Sequence, residues 1–249
     1  MNRIRISAVS FLNTIPFLYG LEKNFDKSFN IEVSQDIPSV CAQKLMDNEV
    51  DLGLVPVAIL PELQNPQIVS NFCIGAKGKV ASVLLLSNVP LKEIKQIYLD
   101  YHSRTSVQLC RILCDQYWKI DPEFINATRG YEEKIGGESA AVVIGDRAFA
   151  LIDQFNFIYD LSEAWHDWKG LPFVFAAWIS NKLLPDEFIN AFNASLKFGV
   201  DRIVESIAHF NRNELETSLQ YNYLNSFIQY DFDHHKKEGL NAFLSEIKA

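Results

Sequence analysis

Three short stretches of the chain place a Ser, Thr or Asn where a predicted strand gives way to a helix: Ser10–Pro16, Pro38–Ser39 and Asp100–Ser106. The first backbone N–H groups of a helix have no partner inside the helix, and the helix dipole adds partial positive charge there. Such helix starts bind carboxylates and phosphates without a charged side chain. Each stretch taken alone can instead be an ordinary helix cap, worth about 1 kcal/mol. Three of them in one chain favour a shared site for a small anion.

The side chains in these stretches are short and mostly neutral. Asn13 is the most informative, because an amide both donates and accepts hydrogen bonds and so orients a hydroxyl or a carboxylate without adding charge. The alternative is a turn-forming Asn that tolerates unusual backbone angles. Ser103 is expected to cap a helix whose next amides point outward. The ligand-binding candidates in the second and third stretches are Ser39, Ser103, Arg104, Thr105 and Ser106.

Two further positions add polar groups at the ends of apolar runs. Gly145 and Asp146 follow the buried strand predicted over Ala140–Ile144, where a glycine lets a ligand approach the backbone closely. Asp146 is either the cap of the next helix or a carboxylate that contacts a ligand hydroxyl. Ser82 is a lone hydroxyl in the apolar run Val80–Ser87, where it either bonds to backbone or faces the ligand.

Motifs for metal-dependent or nucleophilic catalysis are missing from the sequence. It has no glycine-rich phosphate loop, no HExxH and no GxSxG. Three histidines are isolated, and the pair His234–His235 is predicted to lie exposed on a helix. The cysteines have no zinc-like spacing, which predicts reduced, buried thiols and neither a metal site nor a cofactor. These observations favour either pure binding or chemistry that depends on positioning.

Composition limits the class of protein. The 249 residues carry a net charge of −8, which argues against nucleic acid or an anionic membrane surface as a partner. The chain begins directly with strand-like alternation and shows no signal peptide and no apolar run of about 20 residues, so we expect a cytoplasmic protein. An apolar content of 48% is enough to fill two cores. Nothing in the sequence predicts the oligomeric state.

Strand-like and helical patterns alternate along most of the chain, which predicts an α/β fold with mainly parallel sheets. Two apolar runs, Val80–Ser87 and Leu171–Ile179, are candidates for strands that cross between two lobes. We therefore expect one lobe from residues 1–86 plus 180–249, a second lobe from residues 87–179, and a substrate cleft with a hinge between them.

The helical predictions are more specific. A long helix is expected over Ser103–Trp118, and a buried stripe of apolar residues spaced by four is expected to run from Phe188 to Val204. Two amphipathic helices, over Asn213–Tyr223 and Asp231–Ile247, are predicted to follow.

Taken in order, five motifs resemble the chorismate dehydratase family of the futalosine route to menaquinone. The likeness runs from about residue 4 to residue 180, and the helical C-terminus fits by length. The motifs are Asn13–Pro16, Pro38–Ser39 with Val50–Ala58, Ser103–Ser106, Gly145–Ala148 and Gly170–Trp178.

The resemblance implies a type II periplasmic-binding-protein-like fold, two-lobed with a cleft and two crossing strands, used in the cytoplasm as a cofactor-free hydro-lyase. The substrate it implies is chorismate, and the product is 3-[(1-carboxyvinyl)oxy]benzoate. In that reading Asn13 is catalytic and orients the substrate hydroxyl or enolpyruvyl group. Neutral donors at Ser39, Ser82, Thr105 and Ser106 bind the carboxylates, and the substrate's own enolpyruvyl carboxylate serves as base. Arg104 either pairs with a carboxylate or forms a structural ion pair.

Three alternatives remain. A sister family makes 1,4-dihydroxy-6-naphthoate and has a histidine where this chain has Gly145–Asp146, which favours the dehydratase. A small-anion solute-binding protein would need export or an N-terminal lipid-anchor cysteine, and the first cysteine is Cys41. The ligand-sensing domain of a transcription regulator would follow a DNA-binding helix pair, and none precedes Arg3 in this sequence.

Overall fold

The computed structural model describes residues 3–211 and 215–248. It divides into two units. Unit 1 comprises Met1–Gly75 with Val174–His234, and unit 2 comprises Ala76–Phe173 with His235–Ala249. Each unit is built around its own sheet.

The described residues alternate strands and helices. The strands are β1 Ile4–Val9, β2 Ile31–Asp36, β3 Leu52–Pro56, β4 Gln67–Ala76, β5 Val83–Ser87, β6 Gln96–Leu99, β7 Glu123–Asn126, β8 Ser139–Ile144, β9 Phe157–Asp160, β10 Phe173–Ser180 and β11 Gln229–Asp231. The α-helices are α1 Ile15–Asn24, α2 Pro38–Met46, α3 Thr105–Ile112, α4 Arg147–Leu151, α5 Leu161–Lys169, α6 Asp186–Val200, α7 Ile203–Phe210, α8 Thr217–Asn222 and α9 His234–Lys248.

The sheet of unit 1 has the strand order β11-β4-β10-β3-β1-β2. Strand β1 is parallel to both β2 and β3, and β10 is antiparallel to β3. The continuous apolar sequence of β3 is buried along its whole length, as expected of a strand covered on both faces. Because β1, β2 and β3 run in one direction, the segments that follow them emerge at the same edge of the sheet.

The sheet of unit 2 has the strand order β7-β6-β8-β5-β9. Strand β6 is parallel to β7 and β8, whereas β5 is antiparallel to β8 and β9. Val83 pairs with Ile144, so the start of β5 lies beside the end of β8. The segments that follow β6 and β8 and the segment that precedes β5 therefore meet at one edge. The predicted α/β fold is confirmed, but both sheets are mixed and not mainly parallel as predicted.

Two glycines allow helices α1 and α6 of unit 1 to cross at close range. A Cβ atom on Gly199 would lie 1.7 Å from the carbonyl oxygen of Pro16, and one on Gly20 would lie 1.9 Å from that of Ser195. A larger residue at either position would push the helices apart. This packing anchors α1, whose first two residues are the last two of the first candidate stretch.

The core of unit 2 includes an aromatic cluster that joins distant parts of the chain. Phe173 lies 5.4 Å from Trp165 and 5.0 Å from Phe243, measured between ring centroids, with edge-on geometry. Phe243 belongs to α9, so the C-terminal helix packs on this unit. Gly239 of the same helix approaches the Pro172 carbonyl so closely that a Cβ would lie 2.0 Å from its oxygen.

The domain boundaries differ from those expected from the sequence, which assigned residues 1–86 and 180–249 to one lobe and 87–179 to the other. Strand β5 pairs within the sheet of unit 2, and residues 235–249 belong to that unit as well. An apolar run shows that a strand is buried but not which sheet it joins, and the contacts of Phe243 are not visible in the local pattern.

Several helix predictions are wrong in detail. The helix predicted over Ser103–Trp118 begins at Thr105 and becomes a π-helix over Leu113–Trp118. The stripe predicted to reach Val204 stops at Val200, where α6 ends, and Val204 is 61% exposed in α7. Of the predicted Asp231–Ile247 helix, Asp231 is the last residue of strand β11, and the helix begins only at His234. The predicted helix start at Asn213 lies outside the described residues, whereas α8 begins at Thr217.

Two predictions about surface and burial can be checked directly. All four cysteines are reduced and buried, as expected. His234 and His235 are exposed, as expected. Within residues 3–211 and 215–248, no helix combines the length and apolar composition needed to cross a membrane.

Candidate active site

Asn13 lies in unit 1, in a turn of 3-10 helix over Leu12–Thr14 between β1 and α1. Asn13 is only 9% exposed to solvent. The amide nitrogen Nδ2 donates to the Tyr223 hydroxyl at 3.2 Å, and the amide oxygen Oδ1 accepts from Thr14 Oγ1 at 3.3 Å. The side-chain amide of Asn13 is therefore held by Tyr223 at its nitrogen and by Thr14 at its oxygen.

Tyr230 holds the backbone of the same residue. Its hydroxyl donates to the Asn13 carbonyl oxygen at 3.1 Å. Burial raises the pKa of Tyr230 well above its ordinary value, and the neighbouring Tyr223 adds to the shift, so the group stays a neutral donor. Both tyrosines come from the C-terminal part of the chain, more than 200 residues after Asn13, so nothing near Asn13 in the sequence signals them.

Ser39 lies in the first turn of α2, which follows β2 at the same sheet edge as Asn13. The backbone N–H of Ser10 donates to the carbonyl of Asp36 at 2.9 Å and ties the two segments together. Pro38 opens the helix and Ile37 is its N-cap, without a side-chain cap hydrogen bond. Ser39 lies within the first turn and is therefore not the cap of its own helix, and it is half-buried.

In unit 2, a buried carboxylate organises the third predicted stretch. Asp100 accepts hydrogen bonds from the backbone N–H of His102 at 2.9 Å and of Ile144 at 3.1 Å. Arg147 donates to it from Nη2 at 2.5 Å and donates from Nη1 to Glu132 at 2.6 Å. The segment after β6 is thereby fastened to the end of β8 and the start of α4.

Burial and neighbouring charges shift the pKa values of several groups in this network. Burial lowers the pKa of Arg147, but Asp100, Tyr131 and Glu132 together outweigh it and the net shift is upward, so the guanidinium stays charged. Burial raises the pKa of Tyr131, with Asp100 acting in the same direction. Tyr131 therefore remains a donor, and its hydroxyl bonds to the Val142 carbonyl at 2.8 Å. Burial and Arg147 lower the pKa of His102.

The start of α3 carries three of the predicted hydroxyls. Ser103 Oγ accepts from the backbone N–H of Ser106 at 3.0 Å, which confirms the predicted capping role. Thr105 and Ser106 are buried in the first turn of the helix, and Arg104 is half-buried at its N-cap position. Hydroxyls and helix amides are thus concentrated at this end of α3.

Gly145 and Ser82 meet at the same edge of the unit 2 sheet. Gly145 has a φ of +69°, a left-handed conformation that favours glycine, and its N–H donates to the Ser82 carbonyl at 2.9 Å. Ser82 is 1% exposed and precedes β5, so it does not lie within the strand as predicted. Asp146 occupies the N-cap position of α4 without a side-chain cap hydrogen bond.

A second buried carboxylate, Asp160, holds the loop that carries Ser82. It accepts backbone N–H bonds from Val80 at 2.9 Å and Ala81 at 2.7 Å. Its other oxygen caps α5 through the N–H groups of Ser162 and Glu163. Burial raises the pKa of Asp160 although these four N–H bonds oppose the shift.

The structure thus brings the predicted residues together within each unit. Asn13 and Ser39 share one edge of the unit 1 sheet. Ser82, Ser103–Ser106, Gly145 and Asp146 share one edge of the unit 2 sheet. Sequence reasoning did not identify the groups that hold them, namely Tyr223, Tyr230, Asp100, Arg147 and Asp160. An Asp at the end of a strand was the available signal: Asp100 directly follows β6, and Asp160 is the last residue of β9.

Among the described residues, the side chains placed close enough to share a metal ion are His234, His235 and Glu238, all exposed on α9. They are not among the predicted site residues. At the two sheet edges the candidate groups are hydroxyls, an amide, helix amides and one Asp–Arg network. Such a set recognises carboxylates and hydroxyls by hydrogen bonding.

Comparison with known proteins agrees with this description. The chain is 26% identical over 267 aligned positions to the chorismate dehydratase of Thermus thermophilus, with 93% of this chain and 95% of the relative covered. Protein AF1704 of Archaeoglobus fulgidus has a similar structure, with a TM-score of 0.80 at 14% identity and coverage of 99% and 97%.

A structure from Candida albicans, described as having the generic periplasmic binding protein fold, gives a TM-score of 0.69 at 12% identity, with coverage of 100% and 90%. At these identities the structural matches establish the fold, which is that of periplasmic binding proteins. The sequence model described as menaquinone biosynthesis matches residues 4–249, and the chain belongs to that family.

Proposed function

We propose that the chain is a chorismate dehydratase, which converts chorismate into 3-[(1-carboxyvinyl)oxy]benzoate and water in the futalosine route to menaquinone. The observation that carries the proposal is the similarity to the Thermus thermophilus chorismate dehydratase over nearly the full length of both chains. Membership of a menaquinone biosynthesis family supports it.

The reaction needs positioning more than a strong catalyst. Chorismate carries two carboxylates and a 4-hydroxyl on a cyclohexadiene ring. Removal of the C3 proton leaves an anion delocalised through the ring alkene onto the C1 carboxylate. Hydroxide then leaves C4 and combines with the proton to form water, while the ring becomes aromatic. Aromatisation supplies the driving force, so the proposal invokes no cofactor.

The reaction requires groups that hold the two carboxylates and stabilise the developing dienolate. The candidate residues suit this role. In the proposal, Ser39, Ser82, Thr105 and Ser106 donate hydrogen bonds to these oxygens. Neutral donors and helix N-termini stabilise negative charge that develops during a reaction without a metal ion. An acidic chain with a net charge of −8 must attract an anion by such local donors.

Asn13 is assigned to the substrate hydroxyl or the enolpyruvyl group. Its amide is buried and held on both sides, so it can orient a reacting group with little reorganisation. We assign the role of base to the substrate's own enolpyruvyl carboxylate. If Asp146→Asn abolished turnover while Asn13→Ala retained it, a protein base would replace this assignment.

The remaining residues at the unit 2 edge have supporting roles in the proposal. Ser103 fixes the first turn of α3 through its bond to the Ser106 amide. Gly145 allows the substrate to approach the backbone, and Asp146 contacts a substrate hydroxyl. Arg104 either pairs with a carboxylate or serves a structural ion pair. We place the enzyme in the cytoplasm, in keeping with its biosynthetic family.

The test is incubation of the purified protein with chorismate, followed by chromatography and mass spectrometry. We expect a product lighter than chorismate by one water. Asn13→Ala should lower kcat by roughly 100-fold, the effect of removing one group that stabilises developing charge. The matched control is Asn181→Ala, which removes a half-buried amide bonded to the Leu45 carbonyl outside the proposed site. It should retain turnover.

Unchanged chorismate would exclude the proposed reaction. Formation of 1,4-dihydroxy-6-naphthoate from the cyclic futalosine would then assign the chain to the sister reaction. Tight binding of chorismate without conversion would instead make this a binding protein.

A further inference from the structure

The groups that hold Asn13 come from a part of the chain that no sequence motif pointed to. Tyr223 is buried and begins a π-helical segment over Tyr223–Phe227, directly after α8. π-Helical turns are rare and often occur at functional sites, because the extra residue redirects side chains. Tyr223 is the first residue of this segment, and its hydroxyl accepts a hydrogen bond from the Asn13 amide at 3.2 Å.

The contacts around Asn13 leave part of its amide available. A primary amide has two N–H donors and two carbonyl lone pairs. Within the described residues, Tyr223 takes one N–H and Thr14 donates to one lone pair. One N–H donor and one carbonyl lone pair of Asn13 remain. A rotation of the amide by 180° would exchange the positions of its nitrogen and oxygen, and so the directions of these two groups.

We propose that Tyr223 is a positioning residue that fixes the rotation of the Asn13 amide, with Tyr230 fixing the backbone of the same residue. Without the Tyr223 hydroxyl, the amide can exchange the places of its nitrogen and oxygen and present the wrong partner to the substrate. As far as turnover is concerned, this inference rests on the proposed dehydratase function. The structural part does not depend on it.

The kinetic test is a double-mutant cycle. Tyr223→Phe should lower kcat roughly fivefold to tenfold, the range expected for one buried hydrogen bond, with little change in KM. In the Asn13→Ala background the same substitution should have no further effect, because its target is gone. An equal fall in both backgrounds would overturn the proposal.

A control variant distinguishes a positioning role of Tyr223 from a contribution to folding stability alone. Ser195→Ala removes another buried hydroxyl of unit 1, which donates to the carbonyls of Ala191 and Asn24. Its effect on the free energy of unfolding should be similar to that of Tyr223→Phe. Unlike Tyr223→Phe, it should leave kcat unchanged.

A second readout needs neither substrate nor activity. In ¹⁵N-labelled protein, the side-chain NH₂ signals of Asn13 can be assigned by their loss in Asn13→Ala. We expect a cross-relaxation signal between one of these protons and the Tyr223 ring in the unmodified protein. Tyr223→Phe should shift both NH₂ signals and speed their exchange with water, whereas Ser195→Ala should not.

The two readouts keep the possible failures apart. A cross-relaxation signal without any conversion of chorismate would remove the proposed reaction and keep Tyr223 as the group that orients Asn13. Absence of that signal in the unmodified protein would overturn the inference even if chorismate is converted. This measurement does not depend on whether the Tyr223→Phe variant folds.

Discussion

The two units hold their candidate residues by different physical means. In unit 1, Asn13 is fixed by neutral hydroxyls, two of them from tyrosines far along the chain. In unit 2, the segments around Ser103 and Gly145 are fastened by Asp100, a buried carboxylate paired with Arg147. Asn13 therefore depends on long-range neutral hydrogen bonds, and the unit 2 segments depend on an ionic network.

Unit 1 has ion pairs as well. Asp36, the last residue of β2, accepts from Lys44 at 2.6 Å, and a second network lies at the opposite edge of the sheet. Asp51 precedes β3 and accepts from Arg5 at 3.1 Å and from Lys182 at 2.7 Å. The Asp51 network is thus remote from the candidate residues of its unit, whereas Asp100 lies among those of unit 2. Loss of the Asp100 charge should impair both stability and turnover, whereas loss of the Asp51 charge should impair only stability.

The largest effect is expected for Asp100→Ala. The substitution leaves the Arg147 guanidinium without its buried partner and frees the amides of His102 and Ile144. Removing one member of a buried ion pair costs about 3–5 kcal/mol, and turnover should fall as well because the ends of β6 and β8 separate. Urea unfolding and steady-state kinetics measure the two effects.

The control for Asp100→Ala is Lys197→Ala, which breaks the exposed ion pair with Asp201. An exposed pair contributes about 0.2–1 kcal/mol, so the variant should be nearly as stable as the parent. A comparably small loss for Asp100→Ala would contradict the view that the network holds this edge.

Asp51→Asn should lower stability while leaving turnover unchanged. Burial alone would raise the pKa of Asp51, but hydrogen bonds from Arg5 and Lys182 hold it at about 2. An unfolded Asp titrates near pH 3.9, so the charge contributes stability on the order of 2 kcal/mol above about pH 4. That contribution is lost as the pH falls from 4 toward 2.

The variant should therefore be less stable at neutral pH and show a flatter loss of stability below pH 4. Unfolding free energies measured from pH 7 to pH 2 test this. A fall in kcat at pH 7 would show that the ionic network of unit 1 does reach the candidate residues, and would remove the contrast with unit 2.

Gly145→Ala should have a smaller effect on stability and a clear one on turnover. The left-handed φ of +69° costs a residue with a side chain about 1–2 kcal/mol. The matched control is Gly170→Ala at the end of α5, where φ is +70° and an added Cβ would meet no atom within 4 Å. Equal losses of stability but a fall in kcat only for Gly145→Ala would assign that residue to substrate approach. Equal kcat values would remove that assignment.

The contrast between the units also explains what could be predicted from sequence. At the unit 2 edge, Ser103, Gly145 and Asp146 stand beside the strands that position them, so strand and cap patterns located them. The same reasoning placed Asn13 and Ser39 at a strand-to-helix junction, because each follows the end of a strand within four residues. The periodicity of apolar residues was enough for the α/β fold.

Long-range packing was not accessible in this way. The contacts of Tyr223 and Tyr230 with Asn13 span more than 200 residues, and no local pattern encodes them. The same holds for Phe243, whose packing on Trp165 places α9 in unit 2. The π-helical segment after α3 was missed for another reason, since its apolar spacing fits an ordinary helix.

The smallest expected effects compare the two helix starts themselves. Ser103→Ala removes a cap bonded to the Ser106 amide and should cost about 1 kcal/mol of unfolding free energy. Ser39→Ala removes a half-buried hydroxyl that does not cap α2, and its effect on stability should stay within about 0.5 kcal/mol. If Ser39 binds a substrate carboxylate, its variant should nevertheless raise KM more than Ser103→Ala does. Chemical denaturation with chorismate kinetics would measure both quantities, and a stability loss of Ser39→Ala as large as that of Ser103→Ala would mean that both helix starts are structural caps.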